Sequence, residues 1–147
     1  MTPTHPAYET VRHVTPVASV LLQSNPGPMT LDGTNTWLLR GADSTDTVVV
    51  DPGQADDAHL DALLAAAPSI SLVLVTHGHF DHSQAAAELH ARVGAPVRAI
   101  DPQYCHGGSP LRDGETIEAG GVRRRCWPPP ATAPIPRRSC SANETRC

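Results

Sequence analysis

A chain of 147 residues with a hydrophobic share of 39% has the length of one ordinary domain and room for a single core. The start of the chain carries no basic cluster followed by an apolar run, and no stretch has the apolar length of a membrane span, so a signal peptide and a membrane protein are excluded as expectations and a cytoplasmic location is expected. Charge is uneven: residues 1–122 hold 5 Arg against 14 acidic residues, a net of −9, while residues 123–147 hold 6 Arg and one Glu, a net of +5. Cysteines divide at the same place, with Cys105 before the boundary and Cys126, Cys140 and Cys147 after it; without a secretory signal they argue poorly for disulfides. Lysine is absent, while Ala, Arg, Gly and Pro are plentiful, which points to a coding sequence rich in G and C.

Taken in chain order, Val17 to Leu22 and Thr36 to Leu39 read as short strands separated by the turn-rich Asn25-Pro26-Gly27-Pro28 and the loop Asp32-Gly33-Thr34-Asn35. Thr47 to Val50 reads as a buried strand ending in Asp51-Pro52-Gly53. Ala55 to Ala67 then places Leu60, Leu63, Leu64 and Ala67 at helical spacing, with Asp56 and Asp57 in the N-terminal turn and Pro68 as the stop. Ser71 to Val75 is an apolar run of strand length. The polar cluster Thr76 to Ser83 follows at once, then a helix from Gln84 to Val93 ended by Gly94. Pro96 to Ile100 and Gly114 to Gly121 read as further strand material. Alternating strands and helices predict an α/β layered domain. From Arg123 onward the period is lost, and Pro128, Pro129, Pro130, Pro134 and Pro136 prevent a continuous helix or central strand. Two regions are therefore expected, a folded part over 1–122 and a non-native-looking, disordered tail over 123–147. No internal repeat, heptad pattern, glycine-rich phosphate loop or nucleophile elbow is present.

The chemistry concentrates in His77-Gly78-His79-Phe80-Asp81-His82, three imidazoles and a carboxylate within a six-residue segment that follows a strand. Imidazole nitrogen and carboxylate oxygen both bind zinc at about 2.0 to 2.2 Å, and a catalytic zinc keeps one position open for water. Ligands so close in sequence meet one ion poorly, which favours division between two ions roughly 3.5 to 4 Å apart. A polar loop carrying its histidines only for solubility is the alternative, and this spacing after a buried strand argues against it. His5, His13, His59, His90 and His106 are read as surface or incidental residues, and the pair Cys105 and His106 as having no function.

This His-x-His-x-Asp-His segment after an apolar strand resembles the signature of the metallo-β-lactamase superfamily, and the similarity spans roughly Ala18 to Val122. Leu31 to Leu39, LDGTNTWLL, is similar to the early strand pair of the ribonuclease-like, thioesterase-like and glyoxalase-II-like branch. The resemblance implies the N-terminal half of an αββα sandwich. By it, His77 and His79 would bind a first zinc, Asp81 and His82 a second, and Asp81 would also act catalytically by orienting the hydroxide that attacks an ester, thioester, lactam or phosphodiester bond. Asp51, after Val48-Val49-Val50, would support the site from behind the ligands. A small molecule or RNA is the implied substrate, with no membrane partner.

The family also implies downstream ligands: a histidine in a Gly-His-Ser/Thr loop, a bridging aspartate and a final histidine. After His106 there is no histidine, and after Asp113 no aspartate, so weak activity or none is expected of this chain. If Cys126 to Pro136 is back-translated with G- and C-rich codons and read one nucleotide earlier, it gives Val-Leu-Ala-Thr-Pro-Gly-His-Ser-Ala-Asp-Ser. The Gly-His-Ser loop reappears, its histidine codon spanning Ala131 and Thr132. A frameshift between about Val122 and Cys126 is the expectation, against a natural basic, proline-rich tail that binds nucleic acid or a partner. The tail lacks the lysines and most of the aromatics of such binders, and the body is acidic. A rival of another class is a non-catalytic protein that uses the same loop to hold metal structurally.

Overall fold

The computed structural model describes residues 5–126. A six-stranded sheet runs in sequence order through β1 (Val11–Thr15), β2 (Ala18–Leu22), β3 (Asn35–Leu39), β4 (Thr47–Val50), β5 (Ile70–Val75) and β6 (Val97–Ala99). The first three pairings are antiparallel; β4 with β5 and β5 with β6 are parallel. Parallel neighbours need crossovers, supplied by α1 (Asp57–Ala66) between β4 and β5, and by the one-turn α2 (Phe80–Ser83) with α3 (Ala86–Val93) between β5 and β6. A 3-10 turn at Pro102–Tyr104 follows, and β7 (Thr116–Ala119) and β8 (Val122–Arg125) close a two-stranded antiparallel hairpin.

All four residues of β4 are buried, and so are the last four of β5, because the sheet is covered on both faces. Side chains alternate: Leu21, Leu38, Val49, Val73 and Val75 pack with Leu60, Leu63 and Leu89 of the helices. The opposite set, Leu39, Val48, Val50, Leu72 and Leu74, packs with Ile117 and Cys126 from the hairpin. Helix, sheet and the start of a further β layer are thus stacked. Asp56 caps α1 by accepting from the His59 amide, and Arg92 on α3 ties to Asp57 and Asp61 of α1 and to Glu88.

Four sequence expectations change. Val11–Thr15 is a strand the sequence does not announce, since its residues are exposed or half-buried at the sheet edge. The helix expected from Gln84 starts at Ala86, because the Ala85 amide donates to the Gly53 carbonyl (3.0 Å), and a separate one-turn helix, Phe80–Ser83, forms within the stretch read as a polar loop. The boundary at residue 122 falls inside β8, which extends through Arg125 and pairs fully with β7; the remainder of the tail lies outside the described residues. His59 is not a surface residue: it is fully buried. No helix among the described residues is long and apolar enough to cross a membrane.

Candidate metal centre

Parallel pairing of β4 with β5 brings the C-terminal ends of both strands to one edge, and the chemistry sits just beyond them. Asp51 follows β4 and its amide donates to the Leu74 carbonyl (2.9 Å); Thr76 follows β5. Ligand sites in open α/β sheets recur outside the carboxyl ends of strands for this reason.

The Asp51 carboxylate, almost fully buried, collects three donors. Its Oδ1 accepts from the Thr76 amide at 2.8 Å, and its Oδ2 accepts from Thr76 Oγ1 at 2.7 Å and from His82 Nδ1 at 2.9 Å. Thr76 Oγ1, having spent its hydrogen on Asp51, accepts from His77 Nδ1 at 2.8 Å. Both imidazoles are thereby oriented through Nδ1, leaving Nε2 of each for another task; hydrogen bonding at one ring nitrogen selects the tautomer offered by the other.

Nε2 of His82 stands 3.2 Å from Oδ2 of Asp81. An imidazole lone pair and a carboxylate at that separation repel unless a proton or a cation lies between them. Asp81 is itself held by a 3.3 Å bond from Thr34 Oγ1, and Thr34 is fixed by two bonds with the Asn25 side chain. The His77 ring lies 4.3 Å from that of His82 and 4.7 Å from that of His79, centroid to centroid. Asp81 thus adjoins His82 and the His79 ring borders that of His77, but neither His79 nor Asp81 belongs to the group whose ligand atoms gather most closely among the described residues. One ligand atom from each of Asp51, His77 and His82 falls within 4.8 Å of the others. Three protein donors engage the Asp51 oxygens, the arrangement expected of the supporting role that the family resemblance implies for it.

Burial, then the positive charge of His82, lowers the pKa of His77, and Asp51 opposes this. For His82 burial also pulls downward, but the hydrogen bond and charge of Asp51, with the charge of Asp81, outweigh it and the pKa rises. Exposed His79 and Phe80 open the cluster to solvent on one side. On another side Tyr104 packs so close to Gly78 that a Cβ there would collide with its ring and hydroxyl. Thr34, Thr76 and Tyr104 are site residues that sequence reasoning missed; the first lies in the LDGTNTWLL stretch, and the others carry no spacing signal.

The family model described as metallo-beta-lactamase superfamily matches residues 29–142. An atrochrysone carboxyl ACP thioesterase of Cryptosporiopsis sp. is 30% identical over 130 residues, covering 83% of this chain and 39% of that protein. A hydroxyacylglutathione hydrolase of Pseudomonas aeruginosa is 39% identical over 89 residues, covering 58% of this chain and 34% of its own length. The crystal structure of a beta-lactamase domain protein from Burkholderia ambifaria superposes with a TM-score of 0.63 at 22% identity, covering 83% of this chain and 48% of that one. The chain thus spans well under half the length of the curated relatives it matches.

Proposed function

We propose, since the chain belongs to the metallo-β-lactamase superfamily, shares the fold of a solved beta-lactamase domain protein and is similar to proteins named as a thioesterase and a hydrolase, that His77, His79, Asp81 and His82 form the first part of a two-zinc hydrolytic centre. The observation that carries this reading is the pair His82 Nε2 and Asp81 Oδ2, 3.2 Å apart, with the other nitrogen of His82 already fixed by Asp51. That arrangement holds a cation between two acceptors: a proton in metal-free protein, a metal ion otherwise. The donor set, three imidazoles and a carboxylate, suits zinc. His77 and His79 would hold one ion, Asp81 and His82 the other.

Zinc bound here supplies a water acidic enough to ionise near neutral pH and a Lewis acid for the scissile group. The protein's own residues supply position. Asp51 and Thr76 fix the two imidazole planes, and Thr34 holds Asp81 against the cluster, where its carboxylate orients the attacking water and accepts its proton. Of the bond types such a centre attacks, we favour the thioester, because one similar protein bears the name thioesterase and another that of a hydrolase of an acylated thiol, glutathione.

Four ligands without a downstream bridging carboxylate hold metal weakly, so catalysis by the 147-residue chain is expected to be slight. Back-translated with G- and C-rich codons and read one nucleotide earlier, residues 126–136 would supply Gly-His-Ser. The test pairs two proteins, the chain as it stands and the chain with the frame restored through its downstream sequence, each zinc-loaded and assayed on thioester, ester, lactam and phosphodiester probes. Thioester turnover in the restored chain, removed by Asp81→Asn and by chelation, is the expected result. Turnover of another bond alone would replace the substrate class; no turnover of any probe would overturn the hydrolase.

A further inference from the structure

Behind Asp51 lies a further histidine that the proposed chemistry does not use. His59, on the first turn of α1, is fully buried, yet both of its ring nitrogens are engaged. Nδ1 meets Glu9 Oε2 at 2.7 Å, and Nε2 meets Thr36 Oγ1 at 3.0 Å. Thr36 Oγ1 donates its only hydrogen to the Asp51 carbonyl at 2.8 Å, so it accepts from His59, and Nε2 of the ring carries a hydrogen. Glu9 is held in turn by the Ser24 amide on its Oε1, at 3.0 Å. A continuous relay runs from Glu9 through His59 and Thr36 to the backbone of Asp51.

Its terminus is a strained residue. Asp51 has φ of 55°, in the left-handed region that a non-glycine residue rarely occupies and that persists only where the surroundings over-determine it. The next residues are pinned too: the Gln54 amide donates to Gln23 Oε1 at 2.8 Å, and Gly53 takes the Ala85 amide. For packing α1 onto the sheet an apolar side chain of similar volume at position 59 would serve as well, because a buried imidazole must find hydrogen bonds to offset its lost hydration.

We propose that Glu9, His59 and Thr36 form a positioning relay that locks Asp51 in its left-handed conformation and so aims its carboxylate at Thr76 and His82. His59 is a positioning residue and touches neither metal nor substrate. The inference rests on the metal-centre reading for its consequence, but not for its test.

Amide hydrogen exchange in the metal-free, full-length chain reads the aim of Asp51 directly, since the Thr76 amide is protected by Asp51 Oδ1. The Val73 amide inside β5, bonded to the Pro96 carbonyl, is the reference. In Thr36→Val and His59→Phe, Thr76 exchange relative to Val73 should rise by up to about tenfold, the upper range for one lost hydrogen bond. Thr36→Ser, which keeps the hydroxyl, should match wild type. Glu9→Gln, at the accessible end of the relay, should fold and give a smaller rise in the same direction. Equal acceleration of Thr76 and Val73, or none at Thr76, would overturn the relay and leave only a contribution to packing. Co²⁺ affinity measured on the same proteins should fall by about tenfold where Thr76 is deprotected. Failure of wild type to take up Co²⁺ would count against the metal centre, while the exchange comparison still decides the relay.

Discussion

Thr76 has one hydroxyl and two neighbours, and the direction of its single hydrogen decides how both histidines of the cluster present themselves. It donates to Asp51 and accepts from His77, while Asp51 accepts from His82 as well. Asp51→Asn keeps the shape and tolerates positive φ, but offers one acceptor oxygen to three donors; zinc affinity measured by chelator competition should fall about 10- to 100-fold. The pKa directions give a second prediction, for metal-free protein. His82 is raised above its ordinary 6.5, so its stabilising contribution is fully present below that value and is lost as pH rises through the raised one. The stability difference between wild type and His82→Gln, from urea unfolding, should therefore shrink as pH increases past neutrality. His77 is lowered by burial and by His82, so the sign reverses: as pH falls below 6.5 the unfolded chain takes up a proton that folded His77 resists. His77→Gln should gain stability relative to wild type on acidification. At this scale the candidate ligands could be picked out, because four side chains of metal-binding type in six residues leave a spacing; the parts of Glu9, His59, Thr36 and Thr76 could not, because each acts through a partner distant in sequence.

The central strands and first helix could be read from sequence, since β4 and β5 are apolar runs and α1 carries a helical period behind an acidic cap. What escaped was set by tertiary contact. β1 shows its polar side chains at an edge, β8 is mostly arginine and takes its strand form from pairing with β7, and α3 starts at Ala86 rather than Gln84 because Gly53 captures the Ala85 amide. The loop itself depends on the 3-10 turn that brings Tyr104 against Gly78. Gly78→Ala should displace the loop and weaken zinc binding. Combining it with Tyr104→Ala should recover part of the loss, a non-additivity that a double-mutant cycle measures; strictly additive losses would show that the two residues do not share this contact.

Over the whole molecule, one face of the sheet is covered by helices and the other by the β7–β8 hairpin, with Trp37, Leu111 and Val122 packed only in part against it. Met29, Leu31 and Phe80 are exposed. The family match runs to residue 142, beyond the described residues, and the chain covers 39% of the thioesterase that it resembles. The layered fold was legible because strand and helix periods alternate cleanly to Ala99. The acidic body and the basic, proline-rich end were legible too, but only the nucleotide sequence separates a shifted frame from a natural tail. Sequencing the gene across Gly120 to Thr132 should show one nucleotide gained or lost and a Gly-His-Ser codon run. An intact frame with nothing similar downstream would leave a metal-binding fold of other purpose.

The central claim, that His77, His79, Asp81 and His82 hold a metal ion, is tested most directly by titrating the full-length chain with Co²⁺ and following its visible d–d absorption. We predict a saturable spectrum with nitrogen and oxygen ligands that zinc displaces and that His77→Ala and His82→Ala each remove. No spectrum, or one unchanged in both variants, would contradict it.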